Sequence, residues 1–136
     1  MATVERRRGF HHVELWVADV AAVEARWAWL LSEVGFELAH VWPQGRSWSA
    51  DGAYLTVTEA PRIAGGVHDR RSPGVNRLAF RGGSRSEVDA VMAAAAEHGW
   101  MPLYHDRYPH AGGPDHYAGW LADADGFKVE VVADPS

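Results

Sequence analysis

Residues 10–17 read FHHVELWV, and their alternation sets the architecture of the chain. Val13, Leu15 and Val17 fall on one face of an extended strand, and His12, Glu14 and Trp16 fall on the other. The aliphatic face suits packing beneath a helix. The opposite face carries an imidazole, a carboxylate and an indole, more polar chemistry than a core face holds, and so predicts a strand that lines a cavity. By the same parity His11 belongs to the helix side.

Outward from this strand, Asp19 is placed to cap a helix in which Val20, Val23, Trp27, Leu30, Leu31 and Val34 recur at helical spacing, and Gly35 is placed to end it. Residues 36–42, 47–50 and 53–59 read as strands, the last two joined by the turn Asp51-Gly52. A connector rich in Pro, Gly and Arg follows, in which His68, Arg70 and Arg71 are expected at the surface. The pattern then restarts. Residues 75–81 read as a strand. Ser84 and Glu87 form a capping box, and Val88, Val91, Met92 and Ala95 form a helical stripe ending at Gly99. Residues 101–104, 116–122 and 127–133 complete the second set of strands.

Each half is therefore β-α-β-β-β, spanning residues 9–60 and 74–134 on either side of a connector at 61–73. The expected fold is α+β, with two tandem modules forming a curved mixed sheet around a cleft. Val23-Glu24-Ala25 lies as far beyond His12 as Val88-Asp89-Ala90 lies beyond Arg77, so the halves superpose as a structural repeat. On a pseudo-twofold axis His12 corresponds to Arg77 and Thr56 to Glu130, and the four positions are expected to converge on one cavity.

Composition narrows the function classes. The 136 residues fit one domain or two small subdomains with a shared core, and a net charge of −5 argues against nucleic acid or an anionic membrane as a partner. There are no cysteines, which removes disulfides, thiolate metal sites and thiol nucleophiles. No segment approaches a membrane span, and the start MATVERRR has basic residues with no apolar run behind them, so a cytoplasmic location is expected.

The stretch HHVELWV, the paired modules and DADGFKVEVV (residues 123–132) together resemble the vicinal oxygen chelate superfamily, which includes glyoxalase I, fosfomycin-resistance enzymes, extradiol dioxygenases and bleomycin-resistance proteins. Ala124 stands where the family turn usually has Pro. GVNRLAF (residues 74–80) and HAGGPDHYAGW (residues 110–120) are similar to an uncharacterised bacterial glyoxalase-like subgroup. The resemblance implies a cleft that, in some members, holds a divalent metal on His or Glu at four equivalent positions. His12 and Glu130 match two of these ligands. Arg77 stands where metal-binding members have His, and Thr56 where glyoxalase I has Glu. A guanidinium cannot ligate a metal and repels a cation.

The residues leave two classes of function open, and with them whether the chain is an enzyme. One is a metal-dependent lyase, isomerase or dioxygenase acting on a small oxygenated substrate. It would use one Zn, Fe, Mn or Ni ion on His12 and Glu130, with Glu14 or His116 as a third ligand. Glu130 and Glu14 are its candidate general bases, and Arg77 is a candidate electrophile for substrate oxygens. The other is a metal-free protein of the bleomycin-resistance type that binds an antibiotic or aromatic ligand, with Arg77 paired to Glu130 or holding an anionic group. Trp16, Tyr54, Thr56, Arg77, His116 and Trp120 are the candidate ligand contacts in either case. The loop at 106–115 is a candidate lid. Of the seven tryptophans, Trp27 is expected in the core, and Trp42, Trp48 and Trp100 at subunit contacts or the cleft rim. The resemblance also implies a homodimer.

Overall fold

The computed structural model describes residues 8–61 and 63–135; the basic N-terminal stretch judged above lies mostly outside them. The first half runs β1 (His12–Val17), α1 (Val20–Glu33), β2 (Glu37–Trp42), β3 (Gly45–Ala50) and β4 (Ala53–Glu59). The second runs β5 (Leu78–Arg81), α2 (Arg85–Ala94) with a 3₁₀ turn (Ala95–His98), β6 (Met101–Leu103), β7 (Ala118–Ala122) and β8 (Lys128–Val132). The strand orders are β1-β4-β3-β2 and β5-β8-β7-β6. In each sheet the first and last strands of the module pair in parallel and the other neighbours are antiparallel. The repeat and the α+β fold expected from the sequence are both present.

Local chemistry places the helices. The Asp19 carboxylate accepts from the backbone N–H groups of Ala21 and Ala22 at 3.0 and 3.4 Å, and Glu59 at the end of β4 accepts from Val20 N–H at 2.9 Å. Ser84 and Glu87 complete their reciprocal capping box. Val20, Val23, Trp27, Leu30 and Leu31 of α1 pack on Leu15, Val17, Leu55 and Val57, and Val88 and Val91 of α2 join one cluster with Leu121, Val129 and Val131. Two expectations are corrected here. Trp48 and Trp100 are core residues, not rim or interface residues: Trp48 faces the helix side of β3, and Trp100 packs edge-on against Trp27 with ring centroids 5.0 Å apart. His11 is exposed, because it precedes β1 and leans on Tyr54 instead of following strand parity.

The halves are joined through α1. Trp100 Nε1 donates to the Arg26 carbonyl at 2.9 Å, while the Arg26 guanidinium donates to Asp123 at 3.1 Å and to Asp125 at 2.7 Å in the β7–β8 turn. Asp123 is fully buried and also accepts from the N–H groups of Asp125 and Phe127. Burial pushes its carboxyl up, against the pull of Phe127 N–H and Arg26. Gly126 ends this turn at φ 88°, and a Cβ there would strike the carbonyl of His68 in the connector, whose own N–H bonds the Asp125 carbonyl at 2.6 Å. On the opposite side, pairing of the edge strand β2 with β3 slips register between Leu38 and His40.

The loop between β6 and β7 is pinned to α2. Asp89 accepts from the hydroxyls of both Tyr108 and Tyr117, and the Arg85 guanidinium lies 4.9 Å over the Tyr117 ring. These two hydrogen bonds, that of Tyr108 first, hold the Asp89 carboxyl below its ordinary value. The latch is therefore complete above the ordinary carboxylate pKa and is lost as pH falls through the lower folded value.

Two tests follow from these joints. Arg26→Ala strands the buried Asp123 and is expected to cost about 3 kcal/mol, read by urea denaturation at pH 7; a change within about 0.5 kcal/mol would show that the turn is held by other contacts. Asp89→Ala is expected to raise amide exchange in residues 104–117 about threefold to tenfold at pH 7. In the unsubstituted chain that exchange should rise in acid only below about pH 4, a step the variant lacks.

Candidate functional site

Strand β8 presents Lys128 and Glu130 to the inner face of the second sheet, while Val129 and Val131 go beneath α2. Glu130 is only 4% exposed, and a carboxylate taken that far from water needs charged or hydrogen-bonding partners. It has two. Arg77, just before β5, donates from Nε to Oε1 at 2.8 Å, and His116, at the end of the β6–β7 loop, donates from Nε2 to Oε2 at 2.5 Å. An ionised carboxylate only accepts, so the Nε2 of His116 carries the hydrogen. Arg77 also donates from Nη1 to Asn76 Oδ1 at 3.2 Å, and nearly half of its side chain faces solvent. Its Nη2 has no protein acceptor among the described residues.

Trp120 lies opposite Glu130 on β7, tilted toward His116 with ring centroids 6.0 Å apart. Tyr104 closes the other side of Trp120 edge-on, held at φ 56°, and its hydroxyl accepts from Lys128 Nζ at 3.0 Å. That hydrogen bond, reinforced by the Lys128 charge, pulls the Tyr104 phenol below its ordinary value.

The other candidates gather on the first sheet. His12 stacks on Tyr54, with ring centroids 4.6 Å apart and planes within 3°, and shares a 2.9 Å Nδ1–Nδ1 contact with His11. Glu14 accepts from Trp16 Nε1 at 2.8 Å, and Thr56 pairs with Ser47 at 3.2 Å. A cavity of about 800 Å³ is lined by His12, Glu14, His40, Trp42, Tyr54 and Thr56, all from the first half. Within the chain, then, His12 and Thr56 share one cavity, and Arg77 meets Glu130 on the other sheet. The four do not converge as the repeat predicted: the cavity that holds His12 and Thr56 is lined by the first half alone, and Arg77 and Glu130 pair on the second sheet.

The donor set within one chain does not fit a divalent metal. Among the described residues no three His, Asp or Glu side chains gather closely enough to hold one. Both oxygens of Glu130 already accept hydrogen bonds, one of them from a permanent cation. The His116–Glu130 contact proposed for a third ligand is present as a hydrogen bond, and Glu14 is engaged by Trp16. The roles of Tyr104, Lys128 and Asp89 carry no signal in the sequence, since their partners lie in distant loops; only Tyr108 and Tyr117 inside a polar loop hint at an anchor.

Comparison with known proteins places the chain. No family model matches it. It is 40% identical over 125 residues to the uncharacterized protein YqjT of Bacillus subtilis strain 168, covering 90% of this chain and 97% of that protein. A solved structure from Bacillus halodurans, assigned to the glyoxalases, is 39% identical with a TM-score of 0.85, covering 92% of this chain and 95% of its own. A glyoxalase/bleomycin resistance protein from Albidiferax ferrireducens T118 shares the fold at 23% identity and a TM-score of 0.74, with 93% and 98% covered. Among the described residues no helix is long and apolar enough to cross a membrane. With the repeated module, the sheet order and these relatives together, the chain belongs to the vicinal oxygen chelate superfamily, alongside the glyoxalase/bleomycin resistance/dioxygenase proteins.

Proposed function

We propose that this chain is a metal-free small-molecule-binding protein of the bleomycin-resistance type, whose cleft takes an aromatic or antibiotic ligand carrying an acidic oxygen group. The observation that carries the reading is the double hold on Glu130. The carboxylate that would bind a metal is neutralised from one side by Arg77 and bonded from the other by His116. Arg77 thereby keeps its outer edge for a ligand, and a guanidinium edge suits a carboxylate or phosphate bidentately. His116 on the other oxygen of Glu130 and Trp120 opposite Glu130 lie beside the pair, and in this reading Tyr54 and Thr56 supply the facing wall.

The facing wall comes from a second copy in this reading. The first half exposes Phe10, Trp16, Leu38 and Val41, each more than half accessible, and Val41 lines its open cavity. A homodimer that lays one copy's second sheet over the other's first sheet covers this apolar surface and completes the cleft.

A metal-dependent lyase, isomerase or dioxygenase is the competing reading. It has one observation in its favour: His12 stands exposed beside Glu14, available to a partner. Elemental analysis of protein purified without a chelating tag separates the two. Less than about a tenth of an equivalent of transition metal is expected in the unsubstituted chain, and a clear gain in Arg77→His. About one equivalent in the unsubstituted chain would overturn the binding reading and return His12, Glu130 and Glu14 to the roles of ligands and base.

A further inference from the structure

Strands β1 and β5 are the edge strands of their sheets and do not pair with each other, yet residues of both line one cavity of about 370 Å³. The connector closes it outside, and α1 and the β7–β8 turn close it inside. This seam lies apart from the Arg77–Glu130 pair, neither of which lines it. Its size is in the range that takes small organic ligands. Leu15, Val17, Trp27, Val75, Leu78 and Phe127 make most of its wall.

Two donors in this wall are incompletely satisfied, one lacking a counter-charge and the other an acceptor. Lys128 is only 9% exposed, yet its ammonium has a single hydrogen bond, to the Tyr104 hydroxyl, and no carboxylate within ion-pairing distance among the described residues. It also lies 5.0 Å over the Tyr104 ring. Trp27 Nε1 is buried with no hydrogen-bond partner among the described residues. A buried ammonium without a counter-charge and a buried N–H without an acceptor are both costly, and an anionic ligand oxygen relieves them. The two carboxylates that also line the seam are engaged elsewhere. Glu14 accepts from Trp16 Nε1, and Asp125 from Arg26. Their presence limits the ligand to a single negative charge, since a dianion would be repelled.

We infer that the seam between the two modules is a second ligand site, which takes a small planar aromatic monocarboxylate. Its carboxylate lies on the Lys128 ammonium. Its ring lies among Trp16, Trp27 and Phe127, where half of the Trp16 indole is still open to solvent at the mouth.

The test is calorimetric titration of the purified full chain with 2-naphthoate, and with 2-naphthamide as its uncharged counterpart. Naphthoate is expected to bind about tenfold more tightly than the amide, and Lys128→Met to remove that difference. Lys128→Arg should keep it. Ala64→Trp, at the connector rim, should block both compounds. All these titrations are made in the Arg77→Met background, which removes the cleft's own hold on a carboxylate, so that the binding read is that of the seam. Retained preference for naphthoate in Lys128→Met overturns the assignment, as does loss of binding in Arg77→Met, which would move the site to the cleft. Absence of binding to the unsubstituted chain up to about 1 mM also overturns it. Circular dichroism of each variant separates loss of the site from loss of the fold.

Discussion

The two halves of this protein are tied by one residue that uses its side chain and its backbone in different directions. Arg26 sits on the first helix, but its guanidinium serves the β7–β8 turn and its carbonyl serves the Trp100 indole. A repeat of two modules has no intrinsic reason to fix the angle between them, since each already satisfies its own sheet hydrogen bonds. The fixed angle comes from burying Asp123, which cannot remain charged in the core unless Arg26 comes to it. Burial raises the Asp123 carboxyl, and Phe127 N–H and Arg26 pull against that rise. Once the turn is placed, Phe127 meets Trp27 and His68 stacks on Phe127, so the connector is fixed as well.

A second buried acid governs the chemistry. Glu130 and Asp123 solve the same problem in the same way, each calling an arginine from another element. The consequences differ. Asp123 is sealed inside, whereas Arg77 leaves nearly half its surface to solvent and so turns a structural ion pair into a charged surface element. In the binding reading proposed above, recognition at this position rests on a fixed cation with directional N–H groups, not on an ion whose ligands exchange. The end of the β6–β7 loop adds its own hold, because His116 and Tyr117 are adjacent and bond to different elements of the module, one to β8 and the other to α2.

The fold was legible because its signals are local. Asp19, Ser84 and Glu87 cap the helices they flank, and the alternation in FHHVELWV needs no partner to be read. Parity set Trp120 on the same face as Glu130, and charge complementarity anticipated the pairing of Arg77 with Glu130. What parity could not supply was distance. Trp100 follows a helix end and has no strand neighbour to give it a face, so its burial against Trp27 is a product of tertiary packing alone. The convergence of His12 with Glu130 assumed that equivalent positions meet within the chain, but equivalence fixes orientation relative to each sheet, not the separation between sheets. Lys128 and Asp89 took their meaning from Tyr104, Tyr108 and Tyr117, loop residues with no periodicity to read.

The slip in register between Leu38 and His40 bears on how copies of this chain can meet. Strand β2 is one edge of the first sheet, opposite β1, with unpaired backbone groups along it and apolar side chains beside it. A regular edge of that kind templates further strands without limit. The irregular one here cannot align a long ladder, so growth by adding strands stalls after a few hydrogen bonds. Crowding at high concentration therefore favours closed assemblies built face to face over open-ended fibres.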